Sequence, residues 1–188
     1  MRLALAQINP TVGDIAGNAR LIREAIDAAR DGGARVVVFP ELALIGYPPK
    51  DLLLKPAAIE RCVDTIDQLA THCTEIAAII GYPCPAIGDV GRHLHNAAAV
   101  CDGGRVIARR YKSLLPTYDV FDEHRYFEPA RGPDAHEPVD IDGVRFGITI
   151  CEDLWNDDEL IPRPLYHDEP VRCVAEAGAD VLVNCSAS

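Results

Sequence analysis

Apolar residues recur along this chain with two periods, one typical of amphipathic helices and one typical of strands. Helical spacing predicts helices over residues 15–29, 56–71 and 170–177, the first capped by Asp14 and the second opened by Pro56. Shorter apolar runs predict strands at residues 2–7, 36–39, 77–82, 94–101, 106–111, 146–150 and 181–184. The run at 36–39 is apolar throughout, as expected of a strand in a sheet that is covered on both faces.

Three of these strands end at an ionisable side chain. The strand at 36–39 is followed by Glu41, the strand at 106–111 by Lys112, and the strand at 146–150 by Cys151. Open α/β sheets place their chemistry at the ends of strands. Taken singly, each residue also has an ordinary explanation, because free cysteines are often packing residues and acids at strand ends are often solvated.

Together, the three residue types are suited to nucleophilic catalysis by a thiol. A thiol attacks a carbonyl only as the thiolate, so it needs a cation nearby and a base that accepts and later returns the proton. Lys112 would act as a fixed positive charge that keeps Glu41 ionised and stabilises an oxyanion. Glu41 would move the proton, and the backbone N–H of Glu152 is placed to complete an oxyanion hole.

Composition and charge narrow the possible partners. At 188 residues the chain has the length of one domain or a large part of one. The net charge of -11 argues against nucleic acid or anionic membrane as the main partner, since both require clustered lysine and arginine. The apolar start of the chain is too brief for a signal peptide, and no window approaches the length of a spanning helix. We therefore expect a cytoplasmic protein.

The cysteines and histidines do not have the spacing of a metal site. Seven cysteines, an odd number, suggest reduced thiols rather than a disulfide framework, and no C-x-x-C pair is present. His93 and His95 would share one face of a strand, where exposed polar side chains are the ordinary explanation. We predict no metal site.

Three motifs resemble the signatures of the nitrilase superfamily of carbon–nitrogen hydrolases: FPEL at 39–42, YKSLLP at 111–116 and ICEDLW at 150–155. The resemblance implies an α/β fold, the nitrilase-like α-β-β-α sandwich. It also implies a Glu-Lys-Cys triad in which Glu41 is the general base, Lys112 the electrostatic element and Cys151 the nucleophile.

Two further stretches, GYPPKDLLLKP at 46–56 and PTYDVFDEHRYFEPA at 116–130, are similar to the glutaminase domains of glutamine-dependent NAD synthetases. That resemblance implies hydrolysis of glutamine to glutamate and ammonia through a thioester at Cys151, with the ammonia supplied to ATP-dependent NAD synthesis from deamido-NAD. Asp122 and Asp153 could add further acids near the nucleophile. The substrate-binding residues implied by the resemblance are Tyr47, Tyr118, Glu123, Glu152, Trp155 and Ser188.

Resembling domains continue with further strands and then with a synthetase domain whose S-G-G-x-D-S loop does not occur in this sequence. We therefore expect residues 1–188 to be an amidase domain that lacks its last strands and the synthetase domain. No cofactor is expected for the glutaminase step, and ATP and Mg are expected only for the synthetase domain. The expected partners are L-glutamine, the synthetase domain and further copies of the same chain.

Two alternatives remain open at the level of sequence. The chain could be a stand-alone amidase or carbamoylase of the same superfamily. It could also be a non-catalytic truncated module that keeps the triad and serves only in assembly. A synthetase domain downstream in the reading frame would favour the glutaminase.

Overall fold

The computed structural model describes residues 1–157, 163 and 165–187. Within these ranges the chain forms two β-sheets and three α-helices. The strands are β1 (Leu3–Leu5), β2 (Val36–Val38), β3 (Ala77–Pro85), β4 (Leu94–Asp102), β5 (Arg105–Tyr111), β6 (Val139–Ile141), β7 (Val144–Ile150) and β8 (Val181–Cys185). The helices are α1 (Ile15–Asp31), α2 (Pro56–Ala70) and α3 (Pro170–Glu176). None of these helices is both long and apolar enough to cross a bilayer.

The two sheets pack face to face between layers of helix. The first sheet has the strand order β1-β2-β3-β4-β5 and the second the order β6-β7-β8. Because side chains alternate along a strand, Val36 and Val38 join the core shared by the two sheets, whereas Val37 and Phe39 pack under α1 and α2. Helix α3 covers the outer face of β7, where Gly147 leaves room for Val174. The layers follow the α-β-β-α order expected of the predicted sandwich.

The local signals in the sequence explain where the helices begin. Asp14 Oδ1 accepts a hydrogen bond from the N–H of Gly17 at 2.9 Å, which caps α1, and Pro56 occupies the first turn of α2. Strand β3 is longer than predicted, since it continues past Tyr82 to Pro85.

The prolines at the end of β3 are tolerated because of the edge they face. Strand β2 pairs only with residues 77–79 of β3, so the later part of β3 has a strand partner on one edge alone. The backbone of Gly81 points away from β4, and its carbonyl accepts a hydrogen bond from the N–H of Leu44. Backbone groups of every second residue point to the same edge of a strand, so the nitrogens of Pro83 and Pro85 also point away from β4. A proline there removes no hydrogen bond between β3 and β4.

Strand direction brings two of the candidate residues to one edge of the first sheet. Strands β2 and β3 are parallel, and β5 lies two antiparallel steps beyond β3, so β2 and β5 run in the same direction. Glu41 follows β2 and Lys112 follows β5. Cys151 follows β7 and therefore belongs to the second sheet.

The segment that carries Glu41 lies directly against β3 at Gly81. A Cβ atom added to Gly81 would lie 2.4 Å from the backbone nitrogen of Leu42 and 2.5 Å from the carbonyl oxygen of Pro40. The N–H of Leu44 also donates to the Gly81 carbonyl at 3.1 Å. Glycine is thus required here by close backbone approach.

We expect Gly81→Ala to lower the free energy of unfolding by about 1–3 kcal/mol, because the methyl group must push the Glu41 segment away from β3. Urea denaturation measures the change. Gly32→Ala is the matched control, since its added Cβ would meet its nearest neighbour, the Ala28 carbonyl oxygen, at 3.3 Å. Equal stability of the two variants would contradict the close approach.

Candidate active site

A buried ammonium group lies between two carboxylates at the edge of the first sheet. Lys112 Nζ donates to Glu41 Oε1 at 2.8 Å and to Glu123 Oε1 at 2.9 Å, and the side chains of Lys112 and Glu41 are both 0% exposed. Burial acts to lower the pKa of Lys112, but the charges of Glu41, Glu123 and Cys151 together hold that pKa above its ordinary value. Lys112 is therefore a permanent cation, with a third N–H that these carboxylates do not use.

The two oxygens of Glu41 are in different situations. Oε1 accepts from Lys112 and also from Asn96 Nδ2, at 2.7 Å. Oε2 is buried and has no hydrogen-bond partner among the described residues. An unpaired buried acceptor costs stability, and in a native structure it calls for an explanation such as a functional role. One oxygen holds the carboxylate in place, while the other can accept a proton.

Cys151 has a strained backbone at the start of a 3₁₀ turn that spans Cys151–Leu154. Its φ of 45° lies in the left-handed region, which a non-glycine residue adopts at a cost of about 1 kcal/mol or more. Leu42, immediately after Glu41, has a φ of 47°. Asn184 Nδ2 donates to the Cys151 carbonyl at 3.3 Å, which helps to hold this turn against β8.

The thiol of Cys151 opens into a cavity of about 260 Å³. The carboxylate of Glu152 lines this cavity, and the Tyr118 hydroxyl lies 2.9 Å from both of its oxygens. Burial and that contact raise the pKa of Tyr118 to about 12. The cavity is lined by Tyr47, Pro116, Tyr118, Phe121, Cys151, Glu152 and Trp155. A larger cavity, about 720 Å³, lies against α2 and contains none of these groups.

Most of the substrate-binding residues predicted from the sequence lie around this cavity. Tyr47 lines it and donates to Glu123 Oε1 at 3.0 Å, and Trp155 lies at its mouth with 65% of its surface exposed. Glu123 does not line this cavity but a neighbouring one, where it is buried; burial raises its pKa, and Lys112 partly offsets that rise. Ser188 lies outside the described residues.

The neighbouring acids do not all face the cavity. Asp122 is exposed at a second cavity, and Asp153, which we expected to be a cavity acid, instead faces backbone N–H groups. Burial raises the pKa of Asp153 to about 7, and its hydrogen bonds from the backbone oppose that rise. The expectation for Asp153 was wrong because a 3₁₀ turn points consecutive side chains about a third of a turn apart.

Three contributions to the site were not found from the sequence. Asn96 Nδ2 donates to Glu41 Oε1, Tyr166 donates to Glu152 Oε1 at 3.0 Å, and Asp153 accepts from the backbone next to Lys112. The available signal for Asn96 was a single amide in the apolar run of β4. Tyr166 gave no comparable signal, because its position depends on the path of the chain after the 3₁₀ turn.

The histidine pair does not form a strand face. His93 precedes β4, whereas His95 lies in it, stacks on Tyr111 at a centroid distance of 4.3 Å, and places Nδ1 2.7 Å from the Glu128 carbonyl oxygen. In the part of the chain that the structure describes, no group of three or more histidine, cysteine or acidic side chains is arranged to hold a metal ion.

Sequence comparison relates the chain to known enzymes. The sequence model of the carbon-nitrogen hydrolase family matches residues 2–188. A glutamine-dependent NAD(+) synthetase from Synechocystis sp. is 42% identical over 190 residues, which cover 99% of this chain and 34% of that protein. The chain thus spans about a third of the length of this curated relative.

Solved structures show the same fold. A glutamine-dependent NAD+ synthetase from Acinetobacter baumannii, in complex with ADP, matches with a TM-score of 0.84 and 31% identity, over 99% of this chain and 32% of that chain. An amidase from Nesterenkonia sp. matches with a TM-score of 0.78 over 99% of this chain and 64% of that chain. At 23% identity, the amidase supports the fold alone.

We expect Lys112→Ala to lower the free energy of unfolding by about 3–5 kcal/mol, because it leaves Glu41 and Glu123 buried without their cation. Chemical denaturation measures the loss. Adding Glu41→Gln should recover part of it, since one of the two uncompensated charges is then removed. Arg20→Ala is the control, because its partner Glu24 is 65% exposed and such pairs contribute at most about 1 kcal/mol. Similar losses for Lys112→Ala and Arg20→Ala would contradict this account.

Proposed function

The chain belongs to the carbon–nitrogen hydrolase family, and on that premise we propose that it hydrolyses the side-chain amide of glutamine to give glutamate and ammonia. The observation that carries the proposal is the arrangement of Glu41, whose Oε1 is fixed by Lys112 while Oε2 has no described partner. Glu41 and Cys151 both act electrostatically on Lys112, and a fixed base together with a thiol is suited to acyl transfer. The glutamine dependence named for the relatives supports glutamine as the substrate.

In the proposed first step Glu41 Oε2 takes the thiol proton, and the Cys151 sulfur attacks the amide carbonyl. The carbonyl oxygen gains the negative charge, which the remaining N–H of Lys112 and the backbone N–H of Glu152 stabilise. The protonated Glu41 then gives its proton to the amide nitrogen as the carbon–nitrogen bond breaks. Ammonia leaves, and the acyl group remains on Cys151 as a thioester.

The second step returns the enzyme to its starting state. Water takes the place of ammonia, and Glu41 removes a proton from it as the oxygen attacks the thioester. The carbon–sulfur bond breaks, the proton passes to the thiolate of Cys151, and glutamate is released. No redox change occurs and no cofactor takes part.

For substrate recognition we assign the α-ammonium of glutamine to Glu152, since that carboxylate faces the cavity among aromatic side chains. Tyr118 orients it through their hydrogen bonds. Tyr47 and Trp155 form the walls, and Glu123 supports Tyr47 and Lys112 from below. The predicted contribution of Ser188 remains part of the proposal.

We further propose that this chain is the amidase part of a longer protein, because it spans about a third of the Synechocystis relative. A synthetase domain would use the ammonia, with ATP and Mg, to convert deamido-NAD to NAD. The partners proposed for the domain are L-glutamine, that synthetase domain and further copies of the chain.

Cys151→Ala in the full natural protein should lower glutamine-driven NAD formation by several orders of magnitude, because the nucleophile is lost. NAD formation from a free ammonium salt should stay nearly unchanged, since ammonia enters after this step. Glu41→Gln should likewise lower the glutamine-driven rate and leave the ammonium-driven rate nearly unchanged. Cys173→Ala, which removes an exposed thiol on α3, is the matched control. Loss of both rates in a folded Cys151→Ala protein would rule out separable half-reactions.

Glu152→Gln should raise the KM for glutamine about tenfold or more, because the α-ammonium loses its charged partner. Tyr118→Phe should raise the KM for glutamine by a smaller factor, because Glu152 keeps its charge but loses the hydroxyl that orients it. Glutamate release at varied glutamine concentration measures both. Tyr126→Phe serves as the control, since the Tyr126 hydroxyl donates to Asp51, outside the cavity that holds the thiol. An unchanged KM for Glu152→Gln would remove this residue from substrate binding.

A further inference from the structure

We propose that Asp153 is a positioning residue that holds the segments bearing Lys112 and Cys151 in catalytic alignment, a role that rests on the proposed function. Its carboxylate links the two segments directly. Oδ1 accepts from the backbone N–H groups of Ser113 at 3.0 Å and Leu114 at 2.8 Å. Oδ2 accepts from the N–H of Ile150 at 3.0 Å.

The positions of these three donors make the contact specific to the site. Ser113 is the residue after Lys112, and Ile150 is the residue before Cys151. Lys112 leaves the first sheet and Cys151 leaves the second, so no strand ladder joins the two segments. One carboxylate thus fixes, across the boundary between the sheets, the backbone next to the cation and the backbone next to the nucleophile.

The burial of Asp153 separates its role from that of its neighbour. Glu152 lines the cavity, whereas Asp153 is 2% exposed and does not line it. Both oxygens of Asp153 are occupied by backbone donors, so it is not placed to bind substrate. Hydrogen bonds from N–H groups to a buried carboxylate are among the stronger ones, which makes the link stiff.

The link should act on the chemical step more than on substrate binding. A displacement of about 1 Å between reacting groups can lower a rate about 100-fold, and Asp153 governs the spacing between the ammonium and the thiol. The groups assigned to glutamine recognition, Glu152 and Tyr118, bond to one another independently of Asp153. We therefore expect kcat to fall while KM changes little.

Asp153→Asn tests the proposal in the full natural protein. Asparagine keeps the shape but replaces one oxygen with an NH₂ group, so at least one backbone N–H then faces a donor. We expect kcat for glutamine hydrolysis to fall about 10- to 100-fold with KM within about threefold of wild type. Alkylation of Cys151 by iodoacetamide should slow about tenfold, because the thiolate loses its aligned cation.

Two control variants separate positioning from stability. Asp180→Asn changes the carboxylate that accepts from Arg145 N–H at the opposite end of β7, at 2.9 Å. Ile66→Val weakens the core beneath the first sheet, away from the site. Both should keep wild-type kcat and alkylation rate when assayed well below their melting temperatures. Asp153→Glu, which retains the charge, provides the same comparison if Asp153→Asn does not fold.

The proposal is overturned if Asp153→Asn lowers the melting temperature but leaves kcat and the alkylation rate within twofold of wild type. A fall in kcat of the same size in Ile66→Val would overturn it as well. A wild-type protein without activity on glutamine would refute the proposed function. The alkylation comparison would then still decide the role of Asp153, because it requires only the thiol.

Discussion

The structure of this domain depends on a lysine that has no contact with water. An ammonium group can be buried only where carboxylates compensate its charge in good geometry, and Lys112 meets that requirement with Glu41 and Glu123. These groups come from the end of β2, the end of β5 and the loop after β5, and Asn96 of β4 adds an amide. The sheet must therefore place several strand ends within hydrogen-bond distance, and any register that failed to do so would leave charges unpaired.

Much of the fold could be predicted because local signals and burial agree. The cap at Asp14, the proline that opens α2 and the continuous apolar run from Val36 to Phe39 are visible in the sequence and lie where they were expected. The end of β3 was not predictable in the same way. Pro83 and Pro85 indicate a loop until it is known which edge of the strand lacks a partner, and that depends on the length of β2.

In the site, too, features that depend on local sequence could be predicted, whereas features that depend on tertiary contacts could not. Glu41, Lys112 and Cys151 were predictable because each follows a predicted strand, which is a pattern along the chain. The acids Glu152 and Asp153 are adjacent in sequence and chemically alike, yet one faces the cavity and the other faces backbone. Their difference arises from the 3₁₀ turn and from the backbone donors of the segment after β5, and neither can be recognised from the sequence pattern.

The proposed triad is divided between two sheets, and this division sets an order of events during synthesis. The first sheet, with Glu41 and Lys112, is complete in the chain by residue 112, whereas the strands that flank Cys151 follow between residues 139 and 185. Domains acquire contacts as the chain emerges, and contacts between distant segments form late. A nascent chain thus exposes the inner face of its first sheet, including Val38 and Ile79, until the second sheet arrives. On the proposed mechanism, the Cys151 thiol meets Glu41 only when the second sheet covers that face, so an incomplete chain would carry no activated nucleophile.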